Sequence, residues 1–171
     1  ITQSVLDVDG DVYVGTSTGK FLRYQSSTDT IIDLTGKISS FWGSNTIYRL
    51  FYDSVNKVIY LGGASATFAR YNLPSYTAGG TYPTADAAYN LNSKISSFWS
   101  TSVYSFTMDT NEKVLYLGSY QGGKFARYNL PSYTAGGTYP TADTAYDLTS
   151  KISPFMANYI LALAFDPNHN V

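Results

Sequence analysis

Residues 68–86 read FARYNLPSYTAGGTYPTAD, and the same 19 letters return without a change at residues 125–143, 57 positions further along the chain. The triplet Lys-Ile-Ser at residues 94–96 returns at the same offset at 151–153. A first copy carries the related letters FLRY at residues 21–24. Such a repeat is typical of proteins that stack similar units, so that neighbouring units bury each other's apolar faces.

The first copy differs from the other two by an insertion. The letters LPSYTAGGTYP occupy residues 73–83 in the second copy and 130–140 in the third, and they are absent from the first. A segment that some copies have and another lacks is tolerated only outside the packed elements. We therefore expect the insertion to be a surface loop.

Each copy contains four short runs typical of β-strands, which we label A to D. In the second copy they cover residues 47–52, 58–62, 68–73 and 88–91. The runs are rich in aromatic and β-branched residues, and Gly, Asn, Ser and Pro separate them. They are too short for helices, and the alternation at 58–62 fits a buried strand.

A tight turn headed by aspartate joins run A to run B in every copy, and Asp and Asn favour such turns by bonding nearby backbone N–H groups. The four heads are Asp9, Asp53, Asp109 and Asp166. The Asp-rich stretch at residues 7–11 also suggests a calcium loop, but it lacks the later ligands that such a loop needs. We favour the structural turn.

Four antiparallel strands that repeat every 40 to 50 residues or so predict an all-β fold of β-propeller blades. Blade 1 covers residues 1–42, blade 2 covers 43–99 and blade 3 covers 100–156, while residues 157–171 form the first strand of a further blade. Each blade has two apolar faces, so the blades must stack.

The strand motifs also carry a family resemblance. VYVGT at residues 12–16 and YLG at 60–62 and 116–118, followed by Gly-Lys-Phe and Arg-Tyr, resemble bacterial β-propeller repeats of the two-component-regulator and ligand-sensing type. The resemblance implies the propeller fold, and it says much less about the ligand.

Three blades are fewer than the four to eight or so of most propellers. Residues 159–165 form a strand A with no partners behind it, an exposed edge that a closed ring would not leave. We expect a second copy of the chain, in a dimer, or flanking blades of a longer chain to complete the ring. The residues expected to mediate assembly are Tyr159, Ile160, Leu161, Leu163 and Phe165.

Two groups of residues are candidates for ligand binding. The D-to-A connections carry aromatic rings that could stack on sugars or on a partner's side chains, with lysine donors beside them: Lys37, Phe41, Trp42, Lys94, Phe98 and Trp99. The alternative, which we favour, is that these rings pack between sheets. The insertions carry Tyr76, Tyr82, Tyr133 and Tyr139, a composition of adaptable recognition surfaces or of merely solvated loops.

Other polar residues offer less. Arg23, Arg70 and Arg127 recur at one position of strand C, where a solvated or ion-paired residue is favoured over an anion ligand. His169 is the only histidine, so a catalytic relay or a histidine metal site cannot be assembled within one chain. We expect no catalytic residue, no metal site and no cofactor.

The composition narrows the partners. With 11 Lys and Arg against 12 Asp and Glu, the chain has no basic surface for nucleic acid. No apolar run approaches the roughly 20 residues of a membrane span, so we expect no membrane insertion. Cysteine is absent.

These observations predict a non-enzymatic binding or scaffold module that recognises protein or glycan through its loops, at an extracellular or cell-surface location. The alternative is a purely structural propeller whose function is self-assembly. A propeller lyase or hydrolase is a third reading, and it would need His, metal or carboxylate clusters at the central opening.

Overall fold

The computed structural model describes residues 2–77, 79–134, 136–156 and 158–166. In these ranges the chain forms three four-stranded antiparallel sheets, each built from four consecutive strands in chain order. The predicted all-β class and the four strands per copy are confirmed. The three sheets do not close on themselves.

The strands have the following bounds. Sheet 1 contains β1 Gln3–Leu6, β2 Val12–Gly15, β3 Phe21–Gln25 and β4 Thr30–Asp33. Sheet 2 contains β5 Ile47–Asp53, β6 Val58–Gly63, β7 Phe68–Asn72 and β8 Ala87–Asn90. Sheet 3 contains β9 Val103–Asp109, β10 Val114–Ser119, β11 Phe125–Asn129 and β12 Thr144–Asp147.

Sheet 2 is covered on both faces, as the alternation in β6 predicts. Ile59 and Leu61 belong to the apolar core between sheets 1 and 2. Val58 and Tyr60, which point the other way because strand side chains alternate, belong to the core between sheets 2 and 3. Each sheet therefore buries its neighbour's apolar face.

Two of the aspartate-headed turns form as predicted. The Asp53 carboxylate accepts the backbone N–H groups of Val55 and Asn56 at 3.1 and 3.0 Å. Asp109 accepts the equivalent pair in sheet 3. In sheet 1 the predicted head Asp9 is wrong, because Asp7 accepts the backbone N–H groups of Asp9 and Asp11 at 2.9 and 3.0 Å. The fourth predicted turn, with His169, lies outside the described residues.

Glycines allow neighbouring sheets to approach closely. A Cβ atom built on Gly62 of β6 would lie 2.9 Å from the side chain and from the carbonyl oxygen of Val103 in the next sheet. Gly15 meets Ile47 in the same way, and Gly118 meets Ile160. One contact between a glycine and a β-branched residue thus recurs at three successive junctions.

Three short helices follow strands D, where no helix was predicted: α1 Thr35–Trp42, α2 Asn92–Ile95 and α3 Thr149–Ile152. A polar side chain two residues before each helix accepts its first backbone N–H, as Asp33 does from Thr35 at 2.8 Å. In α1 the buried residues Ile38 and Trp42 stand four apart, which is a helical spacing. The helices were missed because one turn, or about two in α1, provides too little periodicity.

Residues 158–166 run across sheet 3 without pairing as a strand. The backbone N–H of Ile160 donates to Ser119 at 2.8 Å, just as Ile47 donates to Thr16 at 3.0 Å where sheet 2 meets sheet 1. Ile160 is buried, whereas Tyr159 and Leu161 are exposed. The predicted strand at residues 159–165 is not formed here, because none of the described residues forms a ladder with it. That the segment begins a further unit stays a prediction.

Candidate binding site at the insertion loops

The two groups of predicted ligand residues start from opposite ends of the sheets. Because successive strands are antiparallel, the A–B turns and the C–D insertions share one end, and the D–A helices follow the other. The structure nevertheless brings members of the two groups together, because Tyr82 and Trp99 belong to one apolar core and Tyr82 and Lys94 both donate to Asp143.

The helix aromatics fill the space between sheets. Trp42 and Trp99 have only 1% and 2% of their surface exposed. The Trp42 ring nitrogen donates to the backbone oxygen of Asn45 at 2.7 Å. Phe41 and Phe98 are partly buried against the same two cores. This burial favours the packing alternative, because the tryptophan faces are not open to a ligand.

The two lysines connect neighbouring sheets. Lys37 of α1 donates to the carboxylate of Asp86, just ahead of β8, at 2.9 Å. Lys94 of α2 donates to Asp143, ahead of β12, at 2.8 Å. Burial opposes ionisation of Asp86, but hydrogen bonds from Tyr71 and Lys37 outweigh it and lower the pKa of this carboxyl below its ordinary value. These lysines are held in ion pairs.

The second-copy insertion is folded around Arg70. The guanidinium carbon of Arg70 lies 5.4 Å from the ring centre of Tyr76 and 4.8 Å from that of Tyr82, distances typical of cation–π contacts. Its Nε donates to Asn72 at 2.7 Å. Arg70 is 4% exposed. The arginine is therefore neither solvated nor ion-paired, contrary to what the sequence indicated.

The third copy repeats this arrangement in its own insertion. Arg127 lies 5.4 Å from the ring centre of Tyr133 and 4.4 Å from that of Tyr139. Its Nε donates to Asn129 at 2.8 Å. Identical sequence thus gives the same local structure twice.

Further hydrogen bonds hold the second-copy loop in shape. The Asn72 side-chain amide donates to the backbone oxygens of Tyr82 and Thr84, both at 2.9 Å. The Tyr76 hydroxyl donates to Gly79 at 3.1 Å. The Tyr82 hydroxyl reaches sheet 3 and donates to Asp143 at 2.7 Å. Burial, with this bond to Asp143, raises the pKa of Tyr82. These hydrogen bonds anchor the described residues of the loop to strand β7 and to sheet 3.

A cavity of about 470 Å³ opens between this loop and its surroundings. Its walls come from the A–B turn of sheet 2 at residues 55–57, from the insertion at 75–77 and 79–81, from Arg70 and from residues 130–132 of the next insertion. The volume falls within the range of roughly 300–1,000 Å³ found for small-molecule sites. Tyr76 lines the cavity, whereas Tyr82, Tyr133 and Tyr139 do not.

Sequence reasoning missed most of the cavity wall. Asn56, Lys57, Ser75, Thr77 and Thr81 line it. They lie in the repeated insertion and the aspartate-headed turn without a chemical motif of their own, and their proximity depends on how the turn and the insertion fold together. One signal was available, namely that the insertion occurs only in copies whose A–B turn ends in lysine.

Several buried hydroxyls lack a hydrogen-bond partner among the described residues, including those of Tyr13 and Tyr60. Burial is the main cause that raises the pKa of both side chains. Both therefore stay neutral at ordinary pH.

The described ranges contain no cluster of three or more His, Asp or Glu placed to hold a metal ion. No helix in them is long and apolar enough to cross a membrane.

Comparison with known proteins gives a structural match only. No family model matches the sequence, and no curated protein matches it. Among solved structures, the chain is similar to the extracellular domain of a hybrid two component system from B. thetaiotaomicron, with a TM-score of 0.61 and 18% identity. The match covers 99% of this chain and 19% of that one. At this identity the likeness concerns the fold alone.

Proposed function

We propose that the chain is a non-enzymatic binding module made of β-propeller blades, and that it recognises a glycan through the insertion loops. In this proposal each four-stranded sheet is a blade, with bounds 1–42, 43–99 and 100–156, and residues 157–171 begin a further blade. The module belongs to an extracellular or cell-surface protein, and the fold likeness to an extracellular domain supports that location.

The observation that carries the proposal is the cavity beside Tyr76. It offers one aromatic ring together with amide and hydroxyl groups from Asn56, Ser75, Thr77 and Thr81. A sugar presents an apolar ring face and a rim of hydroxyls, so it matches an aromatic wall with polar groups around it. The size of the cavity suits a small ligand better than a protein surface.

The order in the loop also supports binding. Since the contacts of Arg70 and Asn72 fix the insertion before any ligand arrives, little conformational entropy is lost on binding.

An oligosaccharide array tests the proposal, with Tyr76→Ala as the site variant and Tyr133→Ala as its control. Both tyrosines contact an arginine of their own insertion, but only Tyr76 lines the cavity. We expect the wild type to bind at least one oligosaccharide, Tyr76→Ala to lose that binding and Tyr133→Ala to keep it. Absence of binding, or equal loss in both variants, would refute the proposal.

Self-assembly is a second candidate, and complementary groups at the two outer sheets favour it. The Tyr24 hydroxyl donates to Asp29 at 2.9 Å, as Tyr71 donates to Asp86. Asp86 is bound by Lys37, whereas no lysine reaches Asp29 within the described chain. At the other end, Lys151 occupies the position of Lys37 and is exposed.

The aromatic positions agree with this arrangement. Phe155 and Met156 follow α3 where Phe98 and Trp99 follow α2, but they are 86% and 42% exposed. A second copy of the chain, with its sheet 1 packed on sheet 3 of the first copy, would cover Phe155 and Met156. Asp29 of the second copy would then pair with Lys151 of the first. Copies would then join head to tail, with residues 158–166 of one chain lying at the junction.

Light scattering over a dilution series tests this candidate. We expect the wild type to form a defined oligomer, Lys151→Glu and Asp29→Lys each to weaken it, and the double variant to restore it. Lys124→Glu, at a B–C turn, serves as the charge control. A wild type that stays monomeric at every concentration would rule the assembly out.

A further inference from the structure

The charged residues that line the cavity beside Tyr76 are all positive. Two charged residues line it, Lys57 and Arg70, and both are positive. The other lining residues in the described part of the chain are neutral. The surroundings therefore favour an anionic group over a neutral or a cationic one.

In sheet 1 the equivalent arginine forms an ion pair with a neighbouring acid. Arg23, at the position of Arg70, donates to the Asp11 carboxylate from both Nε and Nη2, with the Nε bond at 2.7 Å. In sheet 2 the strand register puts Val58 where sheet 1 has Asp11. Arg70 consequently forms no ion pair with any acid that the structure describes.

One acidic residue lies beside the cavity, and its carboxylate is already hydrogen-bonded. Asp53 lines an adjoining cavity of about 170 Å³ and not the larger one. Its carboxylate accepts the backbone N–H groups of Val55 and Asn56 and the side-chain amide of Asn56 at 2.6 Å. This carboxylate completes its own turn, so it does not stand in for an acid partner of Arg70.

Arg70 is also held in a fixed orientation. Its Nε is occupied by Asn72, and its guanidinium lies over the rings of Tyr76 and Tyr82. The charge of Arg70 acts on the buried Tyr60 hydroxyl nearby, but the terminal Nη groups form no hydrogen bond of normal length within the described residues. A guanidinium with both terminal nitrogens available and its plane fixed is suited to a carboxylate or a phosphate, which accept two parallel hydrogen bonds.

We propose that this cavity binds the oxyanion group of its ligand, a carboxylate or a phosphate, through Arg70 and Lys57. The inference rests on the proposed function for the location of the site, and it adds the chemistry of the ligand: an acidic or phosphorylated sugar rather than a neutral one. Arg70 supplies the oriented donors, Lys57 adds a second positive charge, and Tyr76 forms the wall.

The test titrates the wild-type protein with acetate, with inorganic phosphate and with acetamide at constant ionic strength. The Nε–H signal of Arg70 is followed by NMR, with that of Arg23 as the internal control. Acetamide has the shape of acetate without its charge. We expect acetate or phosphate to shift the Arg70 signal saturably, acetamide to leave it in place, and Arg23 to respond to none of them.

A charge reversal sharpens the test. Lys57 has a left-handed backbone with φ 55°, which aspartate tolerates better than most residues, so Lys57→Asp should fold. We expect it to weaken binding of the oxyanion by about tenfold or more, because it removes one positive charge and offers Arg70 an internal partner. Lys20→Asp makes the same change in net charge at an exposed site away from the cavity, and it should leave the affinity unchanged.

The outcomes separate this inference from the proposed function. If acetamide shifts Arg70 as acetate and phosphate do, or if Lys20→Asp and Lys57→Asp weaken binding equally, the oxyanion site is wrong. An array ligand that depends on Tyr76 but not on Lys57 would leave the binding module standing and overturn the oxyanion site. A saturable response of Arg70 to acetate or phosphate, without any oligosaccharide bound on the array, would support the oxyanion site and overturn the glycan-binding function.

Discussion

Substituting alanine for Gly62 tests whether glycine sets the distance between sheets. The added methyl group would lie 2.9 Å from three atoms of sheet 3, namely Phe106 Cζ, Val103 Cγ1 and the Val103 carbonyl oxygen. Carbon atoms pack best at about 3.5–4.0 Å, so the sheets must separate or the side chains must leave their rotamers. Overpacking of this kind costs about 1–3 kcal/mol.

A loss of stability in Gly62→Ala would be informative, because the conformational preference of alanine over glycine would by itself raise stability. Alanine is more stable than glycine inside a regular element by about 0.5–1 kcal/mol. Gly36, which is exposed in α1 and has no atom within 4 Å of a built Cβ, provides the matched control. The same substitution there should raise stability by about 0.5–1 kcal/mol.

Thermal unfolding followed by circular dichroism measures both changes. At about 2–4 °C per kcal/mol for a chain of this size, Gly62→Ala should lower Tm by roughly 2–12 °C, while Gly36→Ala should raise it by roughly 1–4 °C. If Gly62→Ala melts at or above the wild-type temperature, neighbouring sheets can move apart freely and the glycine contact does not define their spacing. Equal destabilisation by both variants would also refute the argument.

Three other predictions concern packing and titration. Trp99→Ala should cost about 3–5 kcal/mol because the ring is buried, whereas exposed Phe155→Ala should change stability by less than about 0.5 kcal/mol; chemical denaturation compares them, and similar effects would contradict the packing reading. The pKa of Asp86 is lower in the folded than in the unfolded state, so its stabilising contribution is present above the unfolded pKa of about 4 and is lost as pH falls through the folded pKa. Asp86→Asn should therefore flatten the loss of stability at acid pH. An unchanged loss would count against the ion pair. Burial raises the pKa of five tyrosines, Tyr13, Tyr60, Tyr71, Tyr82 and Tyr128. Their stabilising contribution is complete below about pH 10 and is lost as pH rises through the folded pKa values, so their phenolate absorbance should appear together with unfolding. A single gradual rise in absorbance near pH 10 would refute this.

The sequence predicted the strands well because their signals are local. The alternation of Val58 to Gly62 and the aspartate ahead of each A–B turn determine strand and turn without reference to the rest of the chain. The bounds of β5 to β8 agree with the predicted runs to within one residue at each end. The helices were not predictable in this way, since α2 and α3 have only four residues each.

The candidate site depended on contacts that sequence alone does not reveal. Its walls combine residues 55–57, 75–77, 79–81 and 130–132, which come from two sheets and meet only when those sheets stack. Arg70 was assigned to a solvated or ion-paired position because a lone strand leaves such a side chain outside. The neighbouring tyrosines bury it, and they do so through an insertion whose fold the letters do not disclose.

The two identical stretches at residues 68–86 and 125–143 create an ambiguity for the folding chain. β7 and β11 carry the same side chains, so while the chain is still unfolded either can pair with β6 or with β10. The discrimination must come from strands that differ, for example Phe51 opposite Tyr60 in sheet 2 and Thr107 opposite Tyr116 in sheet 3. Neighbouring repeats this alike are prone to exchange elements during folding. The correct pairing of strands is therefore determined by the parts of the repeat that differ between copies, and the identical parts pair correctly once those strands are in place.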